Sequence, residues 1–314
     1  MIRGLRPTDV VAYIVFRNKV GGSNEAILWP NGRRSLLSIQ SFIGRSLSLD
    51  PSRETWVKVG EGGIGGLAAA KARWGAAIWD VDQLVTLPAP DSEVTYVHLL
   101  QHLSASAGRL NVHKVFLRLE SSSDALGAAR QAGFFHYATE HIYRLGGQAR
   151  DSRLCDAGLR PRKRADQQAL FQLYCASTPA SVRQVEGMTL QEWRWTDGWN
   201  SQPVTWQGGI RSGRRDYVCV QGSSLVAAIR ADSPSRTLMI ASHPEWQSKA
   251  LPLIKAALSI LPSEGSIHFA VRDYQAGLRL ALEDFGGEHL ASHALLARVL
   301  TARVLERTLM PLRA

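Results

Sequence analysis

Two pairs of histidines have a spacing that could place metal ligands side by side. His98 and His102 lie in an apolar run that favours a helix, where residues four apart share one face. His289 and His293 have the same spacing but lie in a stretch that favours a strand, where residues four apart are too distant to share an ion. Neither pair has the intervening glutamate of the metalloprotease motif or an evident third ligand. We therefore predict structural or surface histidines and no metal site.

A glycine-rich stretch at 60–66 has the composition of a loop that could wrap around a phosphate group. It lacks the Gly-Lys-Ser/Thr ending of a P-loop, and strand-like apolar runs flank it on both sides with no helix after it. A hairpin turn between two strands is therefore the better interpretation.

The composition favours a soluble cytoplasmic protein with two domains. A length of 314 residues fits two domains of ordinary size, and 45% apolar residues suffice for a core in each. No run approaches the roughly 20 apolar residues of a membrane span, and the first residues lack the apolar core of a signal peptide. The three cysteines form no C-x-x-C pair, which indicates reduced thiols rather than a zinc or disulfide framework.

The net charge of +10 is spread evenly along the chain. Lys and Arg outnumber Asp and Glu by 18 to 13 in residues 1–154 and by 19 to 14 in the remainder, so there is no basic tail. Two basic clusters, at 160–164 and 211–215, could contact nucleic acid, an anionic cofactor or an acidic partner. Because no nucleic-acid motif accompanies them, we favour solvated loops.

The sequence repeats itself with an offset of about 150 residues. Leu-Arg-Pro at 5–7 is echoed at 159–161, an offset of 154. The apolar run at 115–119 is echoed at 267–271, an offset of 152, and a Gly/Phe pair follows each run. Two matches with nearly the same offset indicate a duplicated unit of ordinary domain size.

Each unit gives the same order of predicted elements, so we predict one domain over 1–150 and another over 155–314, with the boundary near 146–156. The order is strand, helix, helical stretch, hairpin, strand, helix, strand, helix, strand. The hairpin, buried strand and following helix are predicted at 55–70, 78–87 and 96–103 in the first unit and at 217–229, 237–241 and 251–261 in the second.

This order resembles the GNAT (GCN5-related N-acetyltransferase) fold, present twice. The closest support is at 115–134, where a strand, a helix start and the Gly133-Phe134 turn resemble the late strand–helix–strand segment of that family. A weaker version ends at Phe285-Gly286. The resemblance implies an α/β protein, with an α+β mixed sheet in each of two tandem GNAT-like (acyl-CoA N-acyltransferase) domains.

The resemblance also implies acetyl-CoA or another acyl-CoA as co-substrate, and an amine as acceptor. Members of the family hold the cofactor where the fourth and fifth strands part, with its pyrophosphate on backbone N–H groups of an R/Q-x-x-G-x-G/A loop. A helix N-terminus offers such donors together with a partial positive charge. In the first half this loop, at 90–96, contains two acidic residues and neither glycine nor a basic residue. We therefore expect that half not to bind CoA in the usual way.

The second half keeps more of the loop. Gln247 stands at the Arg/Gln position, Ser248 and Ala250 replace glycines, and Lys249 adds positive charge, although Pro252 removes one N–H donor. We therefore place cofactor binding in the second half, at Ile240, Ala241, Gln247, Ser248, Lys249, Ala250 and Leu251.

The resemblance places a tyrosine, as donor of a proton to the leaving thiolate, four residues before the Gly/Phe turn. Ala129 and Leu282 stand at that position, and neither can donate a proton. By position, the candidate catalytic bases are Asp82 on the buried strand of the first half, His243 after the matching strand of the second, and Asp273 at the start of the late helix. Capping or surface roles are the alternative for each of them.

Several tryptophans cluster in the helical stretch of the second half. The resemblance places this stretch beside the acceptor site, so an aromatic pocket for a bulky or apolar acceptor is one hypothesis. Packing in the core or between the domains is the other. The cluster comprises Met188, Trp193, Trp195, Trp199 and Trp206.

Two functions are therefore considered. The first is a GNAT-type N-acetyltransferase, active in the second half, that transfers an acyl group to a small-molecule or peptide amine. The second is a non-catalytic tandem protein that binds a ligand, a protein or RNA, which the degenerate loops, the missing tyrosines and a pI near 9.9 favour. For either function we predict a monomer whose halves pack as an intramolecular pseudo-dimer.

Overall fold

The computed structural model describes residues 1–21, 24–27, 52–73, 77–146, 158–187, 189–196, 214–222, 224–233, 235–261 and 265–300. The elements of the first half are β1 (Ile2–Gly4), α1 (Val10–Val20), β2 (Arg53–Gly60), β3 (Gly63–Ala72), β4 (Ile78–Thr86), α2 (Ser92–Arg109), β5 (Lys114–Glu120), α3 (Ala125–Gln131) and β6 (Phe135–Leu145). Those of the second half are β7 (Leu159–Pro161), α4 (Gln167–Ser177), α5 (Ala180–Glu186), α6 (Leu190–Thr196), β8 (Arg214–Gln221), β9 (Ser224–Asp232), β10 (Thr237–Ser242), α7 (Ala250–Leu258), β11 (Ile267–Arg272), α8 (Ala276–Asp284) and β12 (Glu288–Val299).

All twelve of these strands belong to one mixed sheet. Their order is β1-β2-β3-β4-β5-β12-β6-β11-β10-β9-β8-β7, so each half contributes the same series running inward from its edge. The pairs β4–β5 and β10–β11 are parallel, and the other neighbours are antiparallel. The predicted hairpins of both halves and the strand that contains His289 and His293 are confirmed.

The last strand of each half is exchanged with the other half. β12 lies between β5 and β6, and β6 pairs with β11, so each half completes its sheet with a strand from its counterpart. A strand placed inside the sheet leaves no exposed edge at the junction. The two halves therefore share a continuous ladder of hydrogen bonds, and the predicted boundary in the sequence is not a gap in the sheet. Most of that boundary, 147–156, lies outside the described residues, and the division into two domains stays a prediction.

An equivalent ion pair ties the first strand of each half to the short 3-10 helix after it. Arg3 donates two hydrogen bonds of 2.7 Å to the carboxylate of Asp9, and Arg160 donates bonds of 2.7 and 2.6 Å to Asp166. The offset between these pairs is 157 residues, so the structural counterpart of Pro7 is Arg164. The duplication is present, but the Leu-Arg-Pro echo is three residues out of register with it.

Each half has its own apolar core against its central helix. In the first half Leu99, Leu100 and Leu103 of α2 are fully buried on the sheet. In the second, Leu253 and Ile254 of α7 do the same. These helices were predicted at 96–103 and 251–261, and their observed bounds are Ser92–Arg109 and Ala250–Leu258. Among the described residues, no helix is long and apolar enough to cross a membrane.

Candidate functional site

The parallel strands part in both halves, as the resemblance implies. In the second half the β10–β11 register runs from Thr237–His268 to Met239–Ala270 and ends there, although β10 continues to Ser242. In the first half the β4–β5 register likewise ends at Asp80–Phe116. Beyond these points the strands diverge, and each divergence is a cleft in which a ligand could contact backbone groups.

The first-half cleft is filled by the chain itself. The N–H of Glu25 donates to the carbonyl of Leu84 on β4, and the N–H of Ile27 donates to that of Arg118 on β5, both at 2.9 Å. The segment thus bridges the two diverging strands as an extra strand would. The carbonyls of Leu84 and Arg118 therefore already have hydrogen-bond donors within the chain.

The second-half cleft opens onto a cavity of about 60 Å³ between β10, β11 and the helices α4 to α6. Its wall combines an apolar and aromatic surface with one ion pair. The apolar side includes Leu173, Tyr174, Trp193 and Met239, and the ion pair is Glu186 with Arg272. Such a combination of apolar walls and few polar groups is typical of small-molecule sites.

One side chain bridges the second-half cleft. Gln275 donates from Nε2 to the carbonyl of Ile240 on β10 at 2.7 Å, and its Oε1 accepts from the N–H of Arg272 on β11 at 2.9 Å. It joins the two diverging strands here, as the backbone of residues 24–27 joins them in the first half. Because a side chain can rotate without unfolding the backbone, this cleft is closed less firmly than the other.

The predicted pyrophosphate loop is wound into a 3-10 helix, Pro244–Lys249, directly before α7. Lys249 is exposed, and its Nζ lies 4.5 Å from the ring centroid of Trp246, a cation–π contact. Ala250 is buried and Leu251 is 40% exposed at the start of α7. The side chains of Gln247 and Ser248 lie outside the described residues.

None of the candidate bases is among the residues that line the cavity. Asp82 is completely buried on β4 and forms an ion pair with Arg53. His243 caps the 3-10 helix, accepting at Nδ1 from the N–H of Glu245 at 3.4 Å. Asp273 accepts from the N–H of Thr139 at 3.0 Å. These contacts give each residue a structural role, and their catalytic roles stay predictions.

The carboxylate that does line the cavity, Glu186, was missed by sequence reasoning. It lies at the end of α5, and its Oε1 is 3.3 Å from Nη1 of Arg272, which belongs to β11. Glu186 precedes its partner Arg272 by 86 residues, and no local sequence motif relates the two. The signal that could have found it is Arg272 at the end of a mostly apolar strand, since an arginine that becomes largely buried needs a carboxylate partner.

A carboxylate from the first half holds the other side of Arg272. Glu140 on β6 is completely buried, with Oε2 3.4 Å from Arg272 Nε and Oε1 3.4 Å from Arg118 Nε. Burial by itself raises the pKa of Glu140, but the two arginines and His293 outweigh it and lower the pKa to about 2. Glu140 is therefore ionised, and the strand exchange brings it next to Arg272, which lines the second-half cavity.

Trp193 is the member of the tryptophan cluster that the structure brings to the cavity. It is 1% exposed and packs against Phe171 and Tyr174, at 5.6 and 5.9 Å between ring centroids. It packs in the core, as one interpretation predicts, and it also lines the cavity, whereas a role towards an acceptor stays a prediction. Met188, Trp199, Trp206 and the side chain of Trp195 lie outside the described residues.

The residues at the tyrosine position are buried in the cores of their halves. Ala129 and Leu282 are both completely buried, and neither side chain has a proton that it could donate to a leaving group. An acid for that step would have to come from elsewhere or from solvent.

The remaining candidates show no ligand geometry. His102 packs edge-on against Trp56, with 6.3 Å between ring centroids. Within the described ranges, no group of three or more His, Cys, Asp or Glu side chains could hold a metal ion. In the basic cluster at 160–164, Arg160 is paired with Asp166 and Arg162 with Asp216, so half of its cations are already compensated. Residues 211–213 of the other cluster lie outside the described part of the chain.

Comparison with known proteins identifies solved structures that have a similar architecture. No family model matches the sequence, and no curated protein does. A GCN5-related N-acetyltransferase from Sphaerobacter thermophilus is 13% identical, with a TM-score of 0.56 and 95% of each chain covered. A tandem GNAT protein from the clavulanic acid biosynthesis pathway is 15% identical, with a TM-score of 0.50 and coverage of 95% of this chain and 98% of its own. At these identities the likeness concerns the fold, and the chain has the fold of a tandem GNAT protein.

Proposed function

We propose that the protein is an acyl-CoA-dependent N-acyltransferase whose active half is the second. The observation that carries this proposal is the contrast between the two clefts. The first is filled by backbone, whereas the second opens onto a cavity and, among the described residues, is crossed by the side chain of Gln275. The first half then serves as a scaffold that contributes β6 and Glu140.

The second-half cleft fits the chemistry of an acyl-CoA. The backbone of Ile240 and Ala241 lies where β10 leaves β11, and Lys249 offers an exposed cation next to the 3-10 helix. Together with Gln247 and Ser248 of the 3-10 helix and Ala250 and Leu251 at the start of α7, they would hold the pantetheine arm and the phosphates. When bound there, an acyl-CoA supplies the thioester carbonyl that an acceptor amine attacks.

The cavity wall indicates what the chain itself does to the acceptor. Trp193 and Tyr174 offer aromatic surface to an apolar part of the amine, in keeping with the predicted aromatic pocket. Glu186 is the acidic side chain of the wall, and Arg272 keeps it in place. Its carboxylate can hold an ammonium group and accept the proton that the amine must lose before attack.

A second function, a non-catalytic binding protein, is favoured by two observations. The side chain of Gln275 bridges the cleft, and Ala129 and Leu282 stand where the resemblance places an acid. A chain that had lost catalysis would retain this fold and could bind a different partner on it.

Titration with acetyl-CoA and longer acyl-CoAs by calorimetry tests the proposal. Saturable binding that Lys249→Glu weakens is the expected result, because the substitution places a negative charge beside the phosphates. Lys19→Glu, at an exposed position of α1, makes the same charge change in the first half and is the matched control. Absence of binding at millimolar acyl-CoA would refute the enzymatic proposal and leave the binding protein.

A further inference from the structure

Four residues of the chain, 24–27, are built into the cleft of the first half. Three of them are almost inaccessible to solvent: Ala26 is 0%, Asn24 1% and Ile27 3% exposed. The backbone of the segment donates to β4 through Glu25 and to β5 through Ile27. The carbonyls of Leu84 and Arg118, which would otherwise face the cleft, are thereby satisfied.

The side chain of Asn24 fixes the segment to β4. Its Nδ2 donates to the carbonyl of Asp82 at 3.1 Å, and its Oδ1 accepts from the N–H of Leu84 at 2.9 Å and from that of Ala26 at 3.2 Å. An asparagine satisfies both a carbonyl and an N–H of the strand, which no apolar residue could do. Asn24 thus provides hydrogen-bond partners for the edge of β4 that faces the cleft.

A second side-chain contact fixes the segment to the other wall. Ser123 donates from Oγ to a carboxylate oxygen of Glu25 at 2.5 Å, and the same Oγ accepts from the N–H of Ala125 at the start of α3. The segment is thus bonded to β4, to β5 and to the turn before α3. A ligand in this cleft would have to break all of these bonds and leave several buried polar groups without partners.

We propose that residues 24–27 close the first-half cleft as an integral part of the fold, so that this half takes no acyl-CoA. The closure itself does not depend on the proposed function. The number of bound ligands does rest on it: together, the two proposals give one acyl-CoA per chain, bound in the second half. The two clefts differ because one is bridged by backbone and anchored side chains and the other by Gln275. Displacing the first bridge requires local unfolding, whereas displacing the second requires a change of rotamer.

Hydrogen exchange of the full-length protein, with and without saturating acetyl-CoA, tests the closure directly. The N–H groups of Glu25 and Ile27 should exchange on the order of 100-fold more slowly than in an unstructured peptide, and equally slowly with ligand present. Fast exchange in the free protein, or protection that disappears when acetyl-CoA is added, would overturn the proposal. This readout does not depend on whether the second half binds anything.

Native mass spectrometry of the same samples counts the ligands. One acetyl-CoA per chain supports the closure together with the proposed function, and two per chain would overturn the closure. No bound acetyl-CoA with a protected segment would refute the proposed function and leave the closure standing.

Asn24→Ala should speed exchange of the N–H groups of Glu25 and Ile27 at least about 10-fold, because it removes three hydrogen bonds. Asn18→Ala, at an exposed position of α1, should leave it unchanged.

Discussion

Replacing Glu140 by glutamine should destabilise the whole molecule, because this buried carboxylate joins the two halves. It has arginines on both sides, at 3.4 Å each, and His293 Nδ1 at 3.9 Å. Glu140→Gln removes the negative charge and leaves the two arginines partly uncompensated inside the sheet. Breaking a buried ion pair in this way costs about 3–5 kcal/mol.

The pKa of Glu140 gives a second figure for its contribution to the free energy of unfolding. It also fixes the sign of the pH dependence of that contribution. Its pKa falls from 4.5 to about 2 on folding, which corresponds to about 3 kcal/mol of stability. A lowered pKa stabilises the fold above the unfolded value, and the contribution is lost as the pH falls from 4.5 towards 2. The difference in free energy of unfolding between wild type and Glu140→Gln should therefore have its full size at neutral pH and be about half as large near pH 3.

Urea unfolding followed by tryptophan fluorescence at several pH values measures this difference. Glu288→Gln is the matched control, because Glu288 pairs with Arg144 on the neighbouring strand with both side chains about half exposed. It should cost less than about 1 kcal/mol. If Glu140→Gln is as mild as the control, or if its effect does not shrink on acidification, the reasoning about the central charge cluster is refuted.

Three further predictions follow from local geometry. Gly158→Ala should destabilise the protein by more than about 3 kcal/mol in urea unfolding, since its φ is +59° and a Cβ would lie 2.3 Å from the carbonyl oxygen of Val220. Gly222→Ala, with φ +60° and open space around it, should cost only about 1–2 kcal/mol, and equal losses would refute the steric argument. Asp166→Asn should lower the melting temperature at neutral pH and flatten its fall between pH 4 and 2, because hydrogen bonds from Arg160 lower the pKa of this carboxyl to about 2, and an unchanged acid transition would contradict this. Light scattering should give the mass of a single chain, 34.5 kDa, and a dimer would refute the predicted monomer.

Much of the fold could be predicted from local patterns. Alternation and glycine-rich turns located both hairpins, and apolar periodicity located the helices that became α2 and α7. The Gly/Phe turns were also found, and Gly133 and Gly286 both adopt φ +86°. These features depend on neighbours within a few residues, so a single sequence contains them.

The candidate site could be predicted only in part. The weaker loop of the first half was visible as a lack of glycine and basic residues at 90–96, yet nothing in the sequence shows that residues 24–27 would fill the adjacent cleft. Gln275 was missed for the same reason, because its partner Ile240 is 35 residues away. Glu186 was missed because its partner Arg272 lies on a strand of the sheet 86 residues later.

The sequence by itself determined the duplication, the order of the described elements in each half and the absence of a tyrosine four residues before each Gly/Phe turn. Only the tertiary structure decided which strands complete which half, since the exchange of β6 and β12 depends on pairing between residues 122 to 185 positions apart. It also decided that one cleft is bridged by backbone and the other by a side chain. Local propensity sets elements, but contacts distant in sequence form only when the whole sheet is assembled, and the site consists of such contacts.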